Sequence, residues 1–266
     1  MTTLAPVEFY PPLLNPAAAG LYSATTWTED AGPSRFLADG VRVRANGNYG
    51  GASAFGVWEA DWCDVPGSGS DALKTGTRPD PETTPFAPVT VWAYDECDAT
   101  LPSRNEVLAR AQQILRLEEQ TAVETEFAAR MLADLTTHSI TVPVVGTYHA
   151  AVGYLEGELA KTNTVGLLHA SAALATPLAE KAAMVNPGGT SPRSVMGHRW
   201  VLGGGYVDTL EATLIATSVA YGWRDAAQVR SVLDQQANTF AAVAERSVVI
   251  GYEKIVAAVT IAEAES

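Results

Sequence analysis

The sequence predicts an α+β fold, with strands and helices gathered into separate runs rather than alternating. Three observations carry this. Ser103 to Leu135 has the apolar spacing of one long helix. The chain before it is broken by proline and glycine and holds only short alternating segments. The chain after it carries two shorter helical patterns and then β-branched runs to the end.

Residues 1–35 read as an N-terminal arm. Pro6, Pro11, Pro12, Pro16 and Pro33 prevent regular helix. Phe9, Tyr10, Leu13, Leu14, Leu21, Tyr22 and Trp27 are scattered among them, more large apolar groups than a solvated tail carries. Such an arm should lie on its own body or on another subunit, and removing residues 1–25 should leave the body folded.

Residues 36–95 read as an extended loop. Val41-Arg42-Val43-Arg44 alternates apolar and charged residues, the period of a strand. Asn46 to Gly51 is a turn, and Ala54 to Trp62 a second strand candidate. Pro66 to Ser70 and Thr75 to Glu82 are polar and rich in breakers, the kind of loop that is functional or disordered. Val89 to Tyr94 alternates again and delivers the chain to the helix. Arg42, Arg44 and Trp58 are placed to present charge and an aromatic face to a neighbouring copy.

The long helix opens at Pro102-Ser103-Arg104-Asn105-Glu106, where Ser103 and Glu106 have capping-box spacing. Val107, Leu108, Ala111, Ile114, Leu115, Val123, Phe127, Met131, Leu132 and Leu135 form a three-to-four pattern that predicts one buried stripe. Glu106/Arg110 and Glu126/Arg130 are i,i+4 pairs, and Glu124 falls on the polar side. At ~1.5 Å per residue the rod is ~48 Å long, more than most cores of this size need.

Beyond it, Ile140 to Val145 is β-branched around Pro143, and Tyr148 to Ala160 is a helix with Val152, Leu155 and Leu159 on one face. Val165 to Ala170 is a short buried strand, and Ser171 to Val185 a helix through Pro177. Trp200 to Leu202, Thr213 to Val219 and Val229 to Leu233 read as strands. Asn238 to Ala244 looks helical, and Ser247 to Tyr252 and Ile255 to Ile261 form a strand pair turning near Glu253-Lys254.

Composition narrows the function. The chain is 47% hydrophobic and 18% charged, which supports a packed core. Its net charge of −13 argues against a free nucleic-acid-binding module. Cys63 and Cys97 are too few for a disulfide scaffold and read as buried, reduced thiols. No secretory leader and no apolar run of ~18 residues is present, so a cytoplasmic protein with no membrane span is expected. Gly203-Gly204-Gly205 lacks the Lys-Ser/Thr and clear helix of a phosphate loop and reads as a strand connection. His138, His149, His169 and His198 lack metal-ligand spacing. Glu156 and Glu158 fall on different helix faces, and no nucleophile elbow occurs. No enzyme, cofactor or metal is expected. Glu245-Arg246 reads either as a surface pair or as a subunit contact that sets register.

This order of elements resembles the major capsid proteins of tailed phages of the HK97 type. Gly20 to Thr25, Val89 to Cys97, Gly166 to Ala170 and Val243 to Ser247 are similar to capsid stretches of actinobacteriophages. The resemblance spans the whole chain and implies an arm (1–35), an extended loop (36–95) and a peripheral domain (96–143) whose spine helix is 103–135. An axial domain (144–237) and return strands of the peripheral domain (238–266) would follow. It further implies self-assembly as pentamers and hexamers into an icosahedral virion shell around double-stranded DNA, held without sequence-specific binding. Scaffolding and portal proteins would be partners, with a decoration protein as a further one, and assembly would take place in the host cytoplasm. The arm starts near Met1, so a fused scaffold is absent or already removed. Some members cross-link a loop lysine to a neighbour's asparagine, for which Lys74 and Asn238 are the matching positions. An encapsulin-like nanocompartment shell shares the fold and stands as the alternative.

Overall fold

The computed structural model describes residues 9–29, 35–50, 54–58, 74–77, 84–181, 183–186 and 191–262. Cys63 and the expected strand beyond Trp58 lie outside them, as does most of 66–86.

The long helix, α3, runs Leu101–Thr137. Its N-cap is Thr100, not Ser103, and no side chain caps it. Asp98 Oδ1 instead accepts the Thr100 N–H at 2.8 Å, and Ser103 lies inside the first turn with its hydroxyl 2.9 Å from that of Thr100. The capping box is therefore not formed: the helix starts two residues earlier, with Pro102 in its first turn, where no backbone N–H is needed. The other end is a Schellman motif: Ser139 takes φ 52°, its N–H reaches Thr136 O, and the Ile140 N–H reaches Leu135 O.

The buried stripe of α3 is not one face. Val107, Ala111 and Leu115 pack with Ala93, Phe240, Ala242 and Ala244. Val123, Phe127, Met131 and Leu135 pack into the main core. Residues spaced by four on a helix of ~100° per residue drift by ~40° a step, so Ala111 and Met131 point ~200° apart.

Among the described residues, two five-stranded sheets flank the helix. The first has the order β1-β7-β9-β2, with β8 also on β9. Its strands are β1 (Thr25–Glu29), β2 (Val89–Asp98), β7 (Ala220–Arg224), β8 (Gln228–Asp234) and β9 (Thr239–Tyr252). The second has the order β3-β10-β6-β4-β5. It comprises β3 (Val144–Val145), β4 (Leu167–Ser171), β5 (Arg199–Gly203), β6 (Thr213–Thr217) and β10 (Ile255–Ile261). Helix α4 (Tyr148–Lys161) buries Val152, Leu155 and Leu159 against this second sheet, with Thr147 Oγ1 accepting the Ala150 N–H as N-cap.

The sheets divide the chain differently from the expected boundaries. Strands β7 and β8 lie within the expected axial span 144–237 but pair with β9. Strand β10 lies in the expected return 238–266 but pairs with β3 and β6. Of Asn238 to Ala244, read as helical, Asn238 lies in the preceding turn and Thr239 to Ala244 is the start of β9. Phe240, Ala242 and Ala244 alternate inward onto α3, and flanking strands on both edges override the helix preference of the alanines. The expected helix 171–185 shrinks to a 3-10 turn at Ala172–Leu174 and α5 at Ala175–Glu180. Pro177 lacks an N–H, so it is accommodated within the first turn of α5. The arm also holds more structure than its prolines suggested: α1 (Leu21–Ala24) and β1, which pairs in parallel with β7.

Candidate functional site

The arm is strapped to the helix. The Gln113 and Gln120 side-chain amides donate to Leu14 O and Ala19 O, both at 2.8 Å, and Arg116 donates to Asn15 Oδ1. Glu124 closes the row: Oε1 accepts the Leu21 N–H at 2.8 Å and Oε2 the Gly205 N–H at 3.0 Å. Residues 14–21 thus run parallel to 113–124, one irregular segment of backbone beside three helical turns. Gly20 sits at φ 100°, and a Cβ there would collide with Gln120 and Glu124. A Cβ at Gly205 would meet the Thr121 carbonyl, which explains the glycine run that resembled a phosphate loop.

Glu124 is fully buried, not on a polar face as the helical pattern implied. Burial pushes its carboxyl up, against the pull of its N–H donors. It joins arm, helix and the Gly203–Gly205 connection through one side chain. Two further acids are buried on α3. Glu119 accepts from the Tyr22 hydroxyl at 2.7 Å and from Arg246 at 3.0 Å. Asp134 accepts from the Tyr252 hydroxyl at 2.6 Å and from Arg130 at 2.8 Å. Burial first, and then the neighbouring carboxylate, push both tyrosine hydroxyls well above their ordinary range, so each remains a donor.

The extended loop leaves the body through a pinned base. Val41 and Phe86 exchange backbone hydrogen bonds at 2.9 and 2.8 Å. Arg130 donates to Pro85 O and Thr84 O, both at 2.8 Å, and lies 4.3 Å over the Phe86 ring. It pairs with Asp134, not with Glu126 as expected. The first limb folds back on its own body: the Tyr49 hydroxyl donates to Val165 O, and Glu253 accepts from Asn46 and Asn48.

Arg42 and Arg44 are exposed as expected, but on irregular backbone, since the alternating segment forms only the Val41 bridge. Trp58 is 53% exposed, and Lys74 Nζ lies 4.3 Å above its ring, so the structure brings these two loop positions together. Asn238 is in the left-handed region at φ 51° in the β8–β9 turn, where its carbonyl accepts the Ala99 N–H. Glu245 and Arg246 do not pair with each other. Neighbours on a strand point to opposite faces, so Glu245 meets Arg230 at 2.8 Å and Arg246 meets Glu119. Cys97 is exposed rather than buried.

Large apolar groups stand in solvent on the same segments. Phe9 is 82%, Leu14 70%, Phe55 84% and Val57 82% exposed. Trp92 and Tyr94 line the outer face of β2. Among the described residues there is no cluster of potential metal ligands, and no helix is long and apolar enough to cross a membrane. His169 is buried between the Tyr206 hydroxyl at 3.1 Å and Thr217 Oγ1 at 2.8 Å, and burial pushes its imidazole down to about 3. It is a core hydrogen-bonding group.

No protein-family model matches the chain, and no curated protein matches its sequence. Solved structures do match the fold. One from Microbacterium phage Oxtober96 has a TM-score of 0.51 at 10% identity, covering 98% of this chain and 96% of the other. One from Gordonia phage Cozz has a TM-score of 0.49 at 13% identity, covering 97% and 91%. The capsid structure of the cyanophage P-SCSP1u has a TM-score of 0.49 at 8% identity, covering 98% and 92%. The chain has the HK97-like capsid fold.

Proposed function

We propose that this protein is the major capsid protein of a tailed phage, a structural shell subunit and not an enzyme. Copies associate as pentamers and hexamers, close into an icosahedral head and enclose double-stranded DNA as part of the virion. The observation that carries this is the exposed apolar surface of arm and loop, held on a body whose fold matches along nearly its whole length. Phe9, Tyr10, Leu13 and Leu14 are exposed on an arm whose backbone is held to the long helix at Leu14. Phe55, Val57 and Trp58 project from a loop pinned at its base. Apolar groups presented together in this way mark surfaces that another molecule covers, and many such weak contacts sum through multivalency. A closed symmetric shell is the arrangement in which every copy gives and receives them.

In this reading Arg42, Arg44 and Trp58 contact the next copy, and scaffolding, portal and decoration proteins are the further partners. Assembly takes place in the host cytoplasm. Lys74 and Asn238 are the positions through which copies would be joined covalently. Denaturing electrophoresis of particles tests that link, a ladder of multimers supporting it and a single 28.0 kDa band refuting it.

The test of the function is electron microscopy and light scattering of the purified chain with its co-expressed neighbours. Closed particles containing DNA support the reading. Particles filled with a protein cargo would indicate a nanocompartment shell, and a monomer under all assembly conditions would refute both.

A further inference from the structure

We infer that the cleft between α3 and the β7–β8–β9 side of the first sheet is a binding site for an acidic side chain of a second copy of this chain. The inference rests on the shell reading and names one contact within it. The cleft has a volume of about 380 Å³, with Pro16 and Tyr22 of the arm along one wall. Among the described residues, the guanidinium groups of Arg116, Arg224 and Arg246 line it against the one carboxylate of Glu119.

That carboxylate is already engaged by Tyr22 and Arg246. Arg246 keeps a buried Nε that makes no hydrogen bond. Arg224 lies 4.4 Å over the Trp27 ring and 5.7 Å over Tyr22, and Arg116 donates to the Asn15 side chain. Among the described residues, neither Arg116 nor Arg224 has an ion pair. The cleft therefore carries an excess of positive charge inside a chain of 30 acidic and 17 basic residues.

Guanidinium groups bind carboxylates through paired N–H donors, and aromatic walls exclude water, so a carboxylate seated here gains more than one at an open surface. The occupant follows from complementarity. The surface of this chain is acidic, and a second copy brings carboxylates to the cleft wherever shell packing sets its surface against the helix. Pro16 of the cleft wall also follows two residues after Leu14, the end of the exposed arm segment already assigned to a neighbouring copy.

The test uses the full chain carrying Arg224→Lys, assembled from an equal mixture of ¹⁴N and ¹⁵N subunits and treated with a zero-length carbodiimide. Mass spectrometry should find the peptide containing position 224 joined to an Asp- or Glu-containing peptide of the other isotope. Links only within one isotope, or none, would overturn the inference. In parallel, Arg224→Gln, which removes one cation of the cleft and leaves the Arg116–Asn15 contact of the strap in place, should raise the concentration needed for assembly severalfold, leaving the circular dichroism of the free subunit unchanged. Lys161→Glu, a reversal on α4 at a site 71% exposed, should not. Normal assembly of Arg224→Gln overturns the inference while the shell reading stands. So does normal assembly with reduced retention of nucleic acid, which would make the occupant a phosphate. Failure of the unaltered chain to form particles overturns both readings.

Discussion

Replacing Glu124 by alanine should loosen the arm and the strand connection together. The substitution strips the acceptor from two buried N–H groups, those of Leu21 and Gly205. Each buried donor left without a partner costs ~1–3 kcal/mol, which puts the gross loss at ~2–6 kcal/mol. Part of it is offset, because the alanine variant no longer buries a carboxylate that has no cationic partner. A net loss of about 3 kcal/mol corresponds to a fall in Tm of roughly 6–12 °C for a chain of this size. Glu124→Gln keeps the shape but turns one acceptor into a donor facing an N–H, so it should lose about half as much. Glu124→Asp is too short to reach both partners and should behave like alanine, contrary to the tolerance that a polar-face position would show. The assay is thermal unfolding of the unassembled subunit, with hydrogen exchange at Leu21–Ala24 read in parallel. A Tm within about 2 °C of the parent and an unchanged Leu21 exchange rate would refute the three-way clamp.

The buried His169 ties stability to pH. Its folded imidazole titrates at about 3 while an unfolded one titrates near 6.5, so the unfolded chain binds the extra proton and stability falls as pH drops below 6.5. At ~1.4 kcal/mol per unit, moving from pH 7.5 to 5.0 should remove about 2 kcal/mol, and urea melts of His169→Gln should lack that part of the loss. Phe127→Asp places an unpaired charge between Tyr252 and His169, a cost of several kcal/mol, and should abolish soluble expression; ordinary yields of folded protein would contradict this. Deletion of residues 1–13 should leave the subunit folded, with an unchanged melting curve, but impair closure in micrographs. Deletion of 1–25 should unfold it, since Leu21 is fully buried; equal stability of the two deletions would show that the strap is dispensable. Charge reversal at Arg42 and Arg44 together should reduce particle yield and leave the subunit Tm unchanged, and a matching drop in Tm would return these residues to the body of the fold.

The long helix, the strands on either side of it and the final strand were legible in the sequence because each is governed by local spacing. The buried acids were not. Glu119 stands in the row Val107, Ala111, Leu115, Val123, Phe127, and an acid interrupting an every-fourth-residue apolar row is a signal that could have marked it. Glu124 and Asp134 gave no such sign, because the buried face winds around the helix, and a pattern read as one fixed stripe assigns them to solvent. The arm misled for a related reason. Its prolines do exclude long helices, but its extended backbone is held by side chains a hundred residues away, Gln113, Gln120 and Glu124. Asn238 to Ala244 shows the same limit, since its alanines favour helix locally and only the pairing with β2 and β8 makes it a strand. Of the expected contact residues, Arg42, Arg44 and Trp58 are exposed as anticipated, whereas the Glu245–Arg246 pair is split across two faces of β9.

The winding of that face makes α3 a torsion bar keyed at both ends in opposite senses. A helix buried along one straight stripe can rock on its bed like a log on a slope. Here a roll that lifts Val107 and Leu115 out of their seat must drive Phe127 and Met131 sideways in theirs, on the far side of the axis. The two beds therefore resist each other's rotation, the first built from β2 and β9 and the second from strands of both sheets. In a shell subunit of the kind proposed, that would be stiffness gained from the phase of a sequence repeat, with no added contact.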